Sequence, residues 1–361
     1  MNKLSAVSLF SGAGGLDIGF EKAGFDIVFA NDLDKNACLT YNSNFSNQSI
    51  CGPIEEFSDD LINFKGVDCL FGGPPCQGFS VAGRMNLDDP RSQLVHHFVK
   101  VLGIINPRSF VMENVPSLAT LEKFSHFRSQ LFSETNRLGY KTELVILNSA
   151  EFGVPQARRR MFLFGIKEDF NIDILSRKNN YLKSAITTFQ SIHHLGCQGT
   201  ELNPKTCNAD VTLAAKPVLR KSAYAGMLFN GLGRPIDPNV PSPTLPASMG
   251  GNKTPIIDEE QYYGTGFSWV EKYHKHLRNG GQPYGMHDAP TSLRRLTLKE
   301  SAILHSYPKD FLFQGPKSSI YRQIGNSVPP GLSYVVAKMI LELLKKQEVE
   351  YIDDHQLALI A

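Results

Sequence analysis

The chain has no large excess of charge of either sign. Its 37 Lys and Arg residues stand against 35 Asp and Glu, a formal net charge of +2. That balance excludes a histone-like protein held to a polyanion by bulk charge and leaves room only for a local basic patch. The sequence also lacks an apolar run approaching the roughly 18–20 residues that a membrane span needs. In the amino-terminal MNKLSAVSLFSGAGGLD the short apolar stretch is interrupted by polar and glycine residues, with no cleavage-like site, so the cytoplasm is the expected compartment. No two of the six cysteines (Cys38, Cys51, Cys69, Cys76, Cys197, Cys207) are spaced C-x-x-C. Neither a zinc ribbon nor a disulfide framework is therefore indicated, and reduced thiols are expected. His274 and His276 alternate in a polar segment without Cys or carboxylate partners; solvated surface histidines are expected there, and no metal site. Internal repeats and low-complexity tracts are absent.

What is present is rhythm. At about 150 residues per domain, 361 residues suggest about two to three domains. Short apolar runs at 6–10, 27–31, 67–71, 109–113, 143–147 and 161–165 alternate with segments at 16–24, 34–43, 92–104 and 119–138 that carry apolar positions at helical spacing and end near Gly or Pro. This predicts an α/β fold built on a doubly wound, mainly parallel sheet. The last two runs are joined by a stretch rich in Arg, Gln and Pro that is too short for a crossover helix, which predicts an antiparallel pair closing the sheet. From about 180 to 295 the texture turns to Pro, Gly, Asn and Ser, and a smaller, loop-rich module is expected. Helices are expected again at 296–306 and at 329–346, the latter amphipathic with Pro at its start.

Several residues sit where chemistry could occur. Phe10, Gly12, Gly14 and Gly15 lie in a turn between a predicted strand and a predicted helix, where bare backbone N–H groups can face a ligand, and Asp32 ends the next strand. The spacing is not G-x-G-x-x-G, which disfavours a pyrophosphate and leaves a nucleotide-like cofactor or a plain tight turn. Cys76 lies in Gly72-Gly73-Pro74-Pro75-Cys76-Gln77-Gly78, directly after another strand. Stiff turn chemistry suits a nucleophile; a small buried thiol is the alternative. Glu113 ends a neighbouring strand, so its carboxylate could reach the same edge or face solvent. In Gln156-Ala157-Arg158-Arg159-Arg160, period-two geometry would bring the guanidinium groups of Arg158 and Arg160 to one side; paired surface charges are the alternative.

Taken in order, LFSGAGGLDIGF, NDLD, GGPPCQGFSVAGR, DPRSQL, VMENV, VPQARRR, RRLTLKE with YP, and YRQIGNSVPP resemble the cytosine-C5 DNA methyltransferases dependent on S-adenosylmethionine, over nearly the whole chain. The resemblance implies a Rossmann-like methyltransferase sheet formed by residues 1–180 plus 318–361, and a target recognition domain at 181–317. It implies Cys76 as nucleophile, with Glu113 on cytosine N3 and the exocyclic amine, Arg160 orienting Glu113, and Arg158 on the base carbonyl. Phe10, Gly12, Gly14, Gly15 and Asp32 would hold S-adenosylmethionine, Asp32 at the ribose. Pro74 and Leu94 would line that pocket, and Asn326, Ser327 and Val328 would close it. Leu33 stands where relatives place an aromatic residue on the adenine, and Ile54 near where an acid meets its amino group. Ser80, Arg91, Gln156 and Thr244 are the implied DNA contacts. The implied partners are double-stranded DNA and, without a stable complex, a restriction endonuclease; the expected state is a monomer. A tRNA-directed relative is opposed by the long variable module and the lack of a Cys-Phe-Thr segment. A silent DNA-binding regulator is opposed by the intact Cys76, Glu113, Arg158 and Arg160, and a nicotinamide dehydrogenase by the glycine spacing.

Overall fold

The computed structural model describes residues 3–57, 59–75, 93–167 and 172–358, with side chains through residue 345. All six apolar runs are strands: β1 (Leu4–Leu9), β2 (Phe25–Asp32), β4 (Cys69–Gly72), β5 (Ser109–Asn114), β6 (Tyr140–Asn148) and β8 (Arg159–Lys167). Between them stand β3 (Ser49–Cys51), too short to leave an alternation in sequence, and β7 (Gln156–Ala157). Seven strands form one sheet in the order β3-β2-β1-β4-β5-β8-β6. Pairing is parallel from β3 through β5, and β8 runs antiparallel to both β5 and β6. The order reverses between β1 and β4, the switch point at whose carboxyl edge open α/β sheets bind ligands. The glycine turn after β1, the Gly-Pro stretch after β4 and the end of β5 all lie on that edge. Helices α1 (Gly15–Ala23), α2 (Lys35–Asn42), α3 (Gln93–Ile105), α4 (Pro116–Thr120) and α5 (Ser125–Arg137) make the crossovers. The single helix expected at 119–138 is divided between α4 and α5, because Leu121 is extended and Arg128 Nη1 donates to the carbonyls of Leu118 and Leu121 at the break.

The chain forms two compact units. The first comprises Met1–Asn148, Arg159–Lys183 and Pro330–Ala361, the second Ser149–Arg158 and Ser184–Pro329. Within the first, α6 (Ile174–Asn179) follows β8, and α12 (Pro330–Ala358) packs on α1. Gly19 makes that approach possible: a Cβ there would lie 2.3 Å from the Tyr334 backbone nitrogen. Ser333 Oγ also donates to the Leu16 carbonyl. By length and composition Lys317–Lys345 is apolar enough to cross a bilayer, contrary to the reading of the sequence, but 72% of its most apolar window is buried inside the protein.

In the second unit α7 (Thr188–Ile192) is followed by the antiparallel pairs β9 (Leu213–Val218) with β10 (Met227–Phe229), and β12 (Ile256–Asp258) with β13 (Leu293–Arg295). β11 (Ser242–Pro243) pairs with β7, which is why Ser149–Arg158 groups here. α8 (Glu259–Tyr263), α9 (Trp269–Arg278), α10 (Leu298–Leu304) and α11 (Lys317–Asn326) complete it. The sequence division at 317/318 differs from the observed one at 329/330, because α11 packs on α10 and Tyr321 Oη donates to the Leu296 carbonyl at 2.7 Å. The RRLTLKE stretch is structural. Arg294 donates from both Nη to the two Glu300 oxygens at 2.8 and 2.7 Å and from Nε to Glu259 at 2.7 Å, while Thr297 and Glu300 form a capping box for α10. The expectation for His274 is corrected: it is buried on α9 with Nε2 2.8 Å from the Arg220 carbonyl, because α9 turns Val270, Tyr273, His274 and Leu277 inward together.

Candidate active site

The glycine turn is sharply wound, with Phe10 at φ 55°, Gly12 at 55° and Gly14 at 86°. A helix N-terminus thereby starts directly at the end of β1. The Asp32 carboxylate, reached from β2, faces the turn. Its Oδ2 accepts the Gly12 N–H and its Oδ1 the Asp34 N–H, both at 2.8 Å. Burial pushes the Asp32 carboxyl above its ordinary value, and those two N–H groups pull it back. Among the described residues a Cβ at Gly12 would meet nothing within 4 Å, which leaves room beside the turn. A carboxylate against a glycine turn repels a pyrophosphate but accepts ribose hydroxyls. This donor set and opening fit an adenosine without a phosphate, as S-adenosylmethionine is. Leu33 is 70% exposed and presents an apolar side chain. Ile54 is buried in the core, which leaves only its backbone for a ligand. Pro74 is buried and Leu94 half-buried in the first turn of α3. Asn326, Ser327 and Val328 lie at the end of α11 in the second unit, where Asn326 is exposed and Val328 buried.

Behind the turn lies a buried acid. Asp17, in the first turn of α1, accepts a hydrogen bond from Tyr41 Oη at 3.1 Å. The Tyr41 ring stacks on Phe45 at 4.2 Å, and both rings press on Gly14, where a Cβ would lie 2.3 Å from Phe45. Burial pushes the Asp17 carboxyl up to about 7. The folded state then binds this proton more tightly than the unfolded chain, so the contribution to stability is full below about pH 4 and is lost as pH rises to about 7. Asp17→Asn should remove that dependence. Thermal melts between about pH 5 and 8 should show the wild type losing stability and the variant following a flatter curve. Parallel curves would refute the assignment.

On the next strands Glu113 and Arg160 meet. Glu113 pairs with Phe162 in the β5–β8 ladder, and Arg160, two residues before Phe162, shares its face. Arg160 Nε lies 2.8 Å from Glu113 Oε1, with the two side chains 14% and 12% exposed. Gly73 is drawn close to this carboxylate, for a Cβ there would lie 2.9 Å from Glu113 Oε2. Asn114 Nδ2 donates to the Pro74 carbonyl at 3.2 Å and its Oδ1 accepts the Val115 N–H at 2.8 Å. The chain is thereby fixed two residues before Cys76. Cys76, Ser80 and Arg91 lie outside the described residues.

Two expectations are corrected in the second unit. Arg158 does not converge with Arg160. It is 1% exposed, with Nη1 donating to the Leu245 carbonyl at 3.1 Å and Nη2 to the Gly325 carbonyl at 2.8 Å. The strand alternation that would have aligned the two arginines is interrupted at Arg158, which lies between β7 and β8. Gln156 is fully buried rather than offered to DNA. Its Nε2 meets His305 Nδ1 at 3.1 Å while His305 Nε2 meets the Ser327 carbonyl at 3.0 Å. The carbonyl makes Nε2 the protonated nitrogen, so Nδ1 accepts from Gln156. His305 carried no signal in the sequence. Thr244 is exposed, its Oγ1 donating to the Ala157 carbonyl at 3.0 Å. Arg158→Ala should leave two buried carbonyls without donors and lower stability by about 2–4 kcal/mol. A denaturant titration checks this, and an unchanged midpoint would contradict the role of strut. A cavity of about 250 Å³ within the second unit, among Leu298, Ala302, Tyr307, Phe311 and Phe313, holds none of the residues expected to react.

The turn with its acid and the Glu-Arg pair belong to a chain that matches one family over most of its length. Residues 4–342 match the C-5 cytosine-specific DNA methylase family, and the chain belongs to that family. Among relatives it is similar to Type II methyltransferase M1.HphI of Haemophilus parahaemolyticus, 33% identical over 94% of this chain and 87% of the other. It is also similar to Type II methyltransferase M.XorII of Xanthomonas oryzae pv. oryzae, 32% identical over 96% and 87%. Among solved structures, Entamoeba histolytica methyltransferase EhMeth superposes with a TM-score of 0.67 at 17% identity, covering 95% of this chain and 99% of that one. S. pombe Dnmt2 methyltransferase gives 0.66 at 19%, covering 94% and 99%. These structural likenesses bear on the fold, a Rossmann-like methyltransferase sheet.

Proposed function

We propose that this enzyme transfers a methyl group from S-adenosylmethionine to C5 of a cytosine flipped out of a specific duplex DNA sequence, through a transient bond between Cys76 and C6. The observation that carries the reading is the buried Glu113–Arg160 pair beside Gly73, on the edge that leads to Cys76. Cytosine C5 is a poor nucleophile. Addition of the Cys76 thiolate at C6 breaks the C5–C6 double bond and turns C5 into an enamine carbon. Arg160 fixes the Glu113 carboxyl, which hydrogen-bonds N3 and the exocyclic amine and stabilises the ring as it gains a proton. The glycine turn and Asp32 would hold S-adenosylmethionine, whose sulfonium–methyl bond would break as C5 takes the methyl group, leaving S-adenosylhomocysteine. Loss of the C5 proton to a base then expels the thiol and restores the ring.

A base inside a stacked duplex is out of reach of these groups, so extrusion at a cost of a few kcal/mol is part of the cycle. Ser80, Arg91 and Thr244 contact the DNA around the extruded nucleotide, while the arginine, lysine and asparagine side chains of the second unit read base edges. Leu33 packs on the adenine, and Pro74 and Leu94 line the pocket. The base carbonyl is not assigned to Arg158, which is buried with Nη1 and Nη2 donating to the Leu245 and Gly325 carbonyls. The enzyme acts as a cytoplasmic monomer, and its functional pairing with a restriction endonuclease is supported by the Type II methyltransferase names of its relatives. Transfer from labelled cofactor to a random duplex library, followed by mapping of modified cytosines, should give one short motif. Transfer to RNA alone would overturn the assignment.

A further inference from the structure

Two thiols with no part in that chemistry meet at the cofactor's edge. The β2–β3 register sets Cys51 directly beside Asp32. Cys38 Sγ on α2 lies 3.4 Å from the Asp32 carbonyl and Cys51 Sγ lies 3.8 Å from the Leu33 carbonyl, near enough for the Cys51 thiol to help push the Cys38 thiol up. The sulfurs therefore sit against two consecutive carbonyls, those of Asp32 and of the residue after it. Cys51 is exposed and Cys38 buried, so a dissolved oxidant reaches Cys51 first, with Cys38 as the resolving partner behind it.

We propose that Cys38 and Cys51 are an oxidative modification site, forming a disulfide that weakens cofactor binding at Asp32. The proposal rests on the reading of Asp32 as the ribose carboxylate. With a hydroperoxide as oxidant the balance closes. The Cys51 sulfur takes one oxygen from hydrogen peroxide, releasing a first water. The Cys38 sulfur then attacks Cys51 Sγ and displaces that oxygen as a second water, so two thiol protons and two electrons end on the peroxide oxygens. Burial pushes the Cys38 thiol up to about 12, which makes the second step slow at neutral pH and faster in alkali. An S–S bond of about 2.05 Å is shorter than any non-bonded approach of two sulfurs, so closure draws α2 toward the end of β3. That movement is transmitted to the ligand site. Asp34 Oδ1 caps α2 through the Asn36 and Ala37 N–H groups at 3.0 and 3.2 Å, and the Asp34 N–H is itself held by Asp32 Oδ1.

The test uses the full chain in a Cys76→Ser background, which removes the thiol that peroxide would otherwise also attack. After hydrogen peroxide, mass spectrometry without reductant should find the peptides carrying Cys38 and Cys51 joined, two hydrogens lighter than their sum. The Kd for S-adenosylhomocysteine should rise at least tenfold, return on addition of dithiothreitol, and stay unchanged when Cys51→Ser is added. Ligand bound beforehand should slow the cross-link. Absence of the joined peptides, a cross-link with unaltered affinity, or an equal loss in the Cys51→Ser protein would overturn the proposal. Reduced protein that binds no S-adenosylhomocysteine would instead overturn the assignment of Asp32, and the modification site with it.

Discussion

Cys76→Ser is expected to lower kcat by at least about 10⁴-fold while the cofactor Kd stays within about twofold of the wild type. The serine hydroxyl is smaller than the thiol and adds no bulk, so the Asn114 hydrogen bond to the Pro74 carbonyl is kept. What changes is the nucleophile. A thiol with pKa near 8.5 is a few per cent ionised at neutral pH, whereas a serine hydroxyl stays protonated and adds poorly to a pyrimidine ring. Without addition at C6, C5 keeps too little electron density to accept a methyl group. Single-turnover transfer alongside equilibrium cofactor binding separates the two effects. A variant turning over at the wild-type rate would show that no sulfur–carbon bond is needed.

Glu113→Gln is expected to reduce kcat by about 10²–10³-fold, again with cofactor affinity nearly unaltered. The amide keeps the length of the side chain and can still accept from the exocyclic amine, but it loses the negative charge that stabilises a ring protonated at N3. It also removes the anionic partner of Arg160, which approaches Glu113 at 2.8 Å with both side chains largely buried. The loss should therefore fall on kcat more than on the KM for DNA, because the charge matters only as the ring becomes cationic. A kcat within threefold of the wild type would place the proton on some other group.

The Glu113–Arg160 pair was expected from the resemblance alone, and the β5–β8 register accounts for it, because alternation along the two strands places both side chains on one face. The same rule misplaced Arg158, where strand geometry is interrupted and the partners, Leu245 and Gly325, are far away in the chain. Gln156 failed for the same reason, since its partner His305 belongs to a distant helix end whose approach no local pattern announces. The sheet itself was readable from its apolar runs, except for β3, whose three residues are too few to alternate. That omission hid the meeting of Cys38 and Cys51, which depends on β3 lying beside β2. The loop-rich module showed as a change in composition, but composition is silent on packing, and α11 groups with that module because it packs on α10 and Tyr321 bonds the Leu296 carbonyl.

Covalent trapping tests the central claim most directly. A duplex carrying 5-fluorocytosine at the target position should bind, be attacked at C6 and accept the methyl group, but fluorine cannot leave C5 as a proton does. Protein and DNA should then migrate together on a denaturing gel, only when S-adenosylmethionine is present and only with Cys76 intact. Enzyme that methylates the ordinary duplex at full rate, yet releases the fluorinated one with no adduct, would contradict addition of Cys76 to the ring.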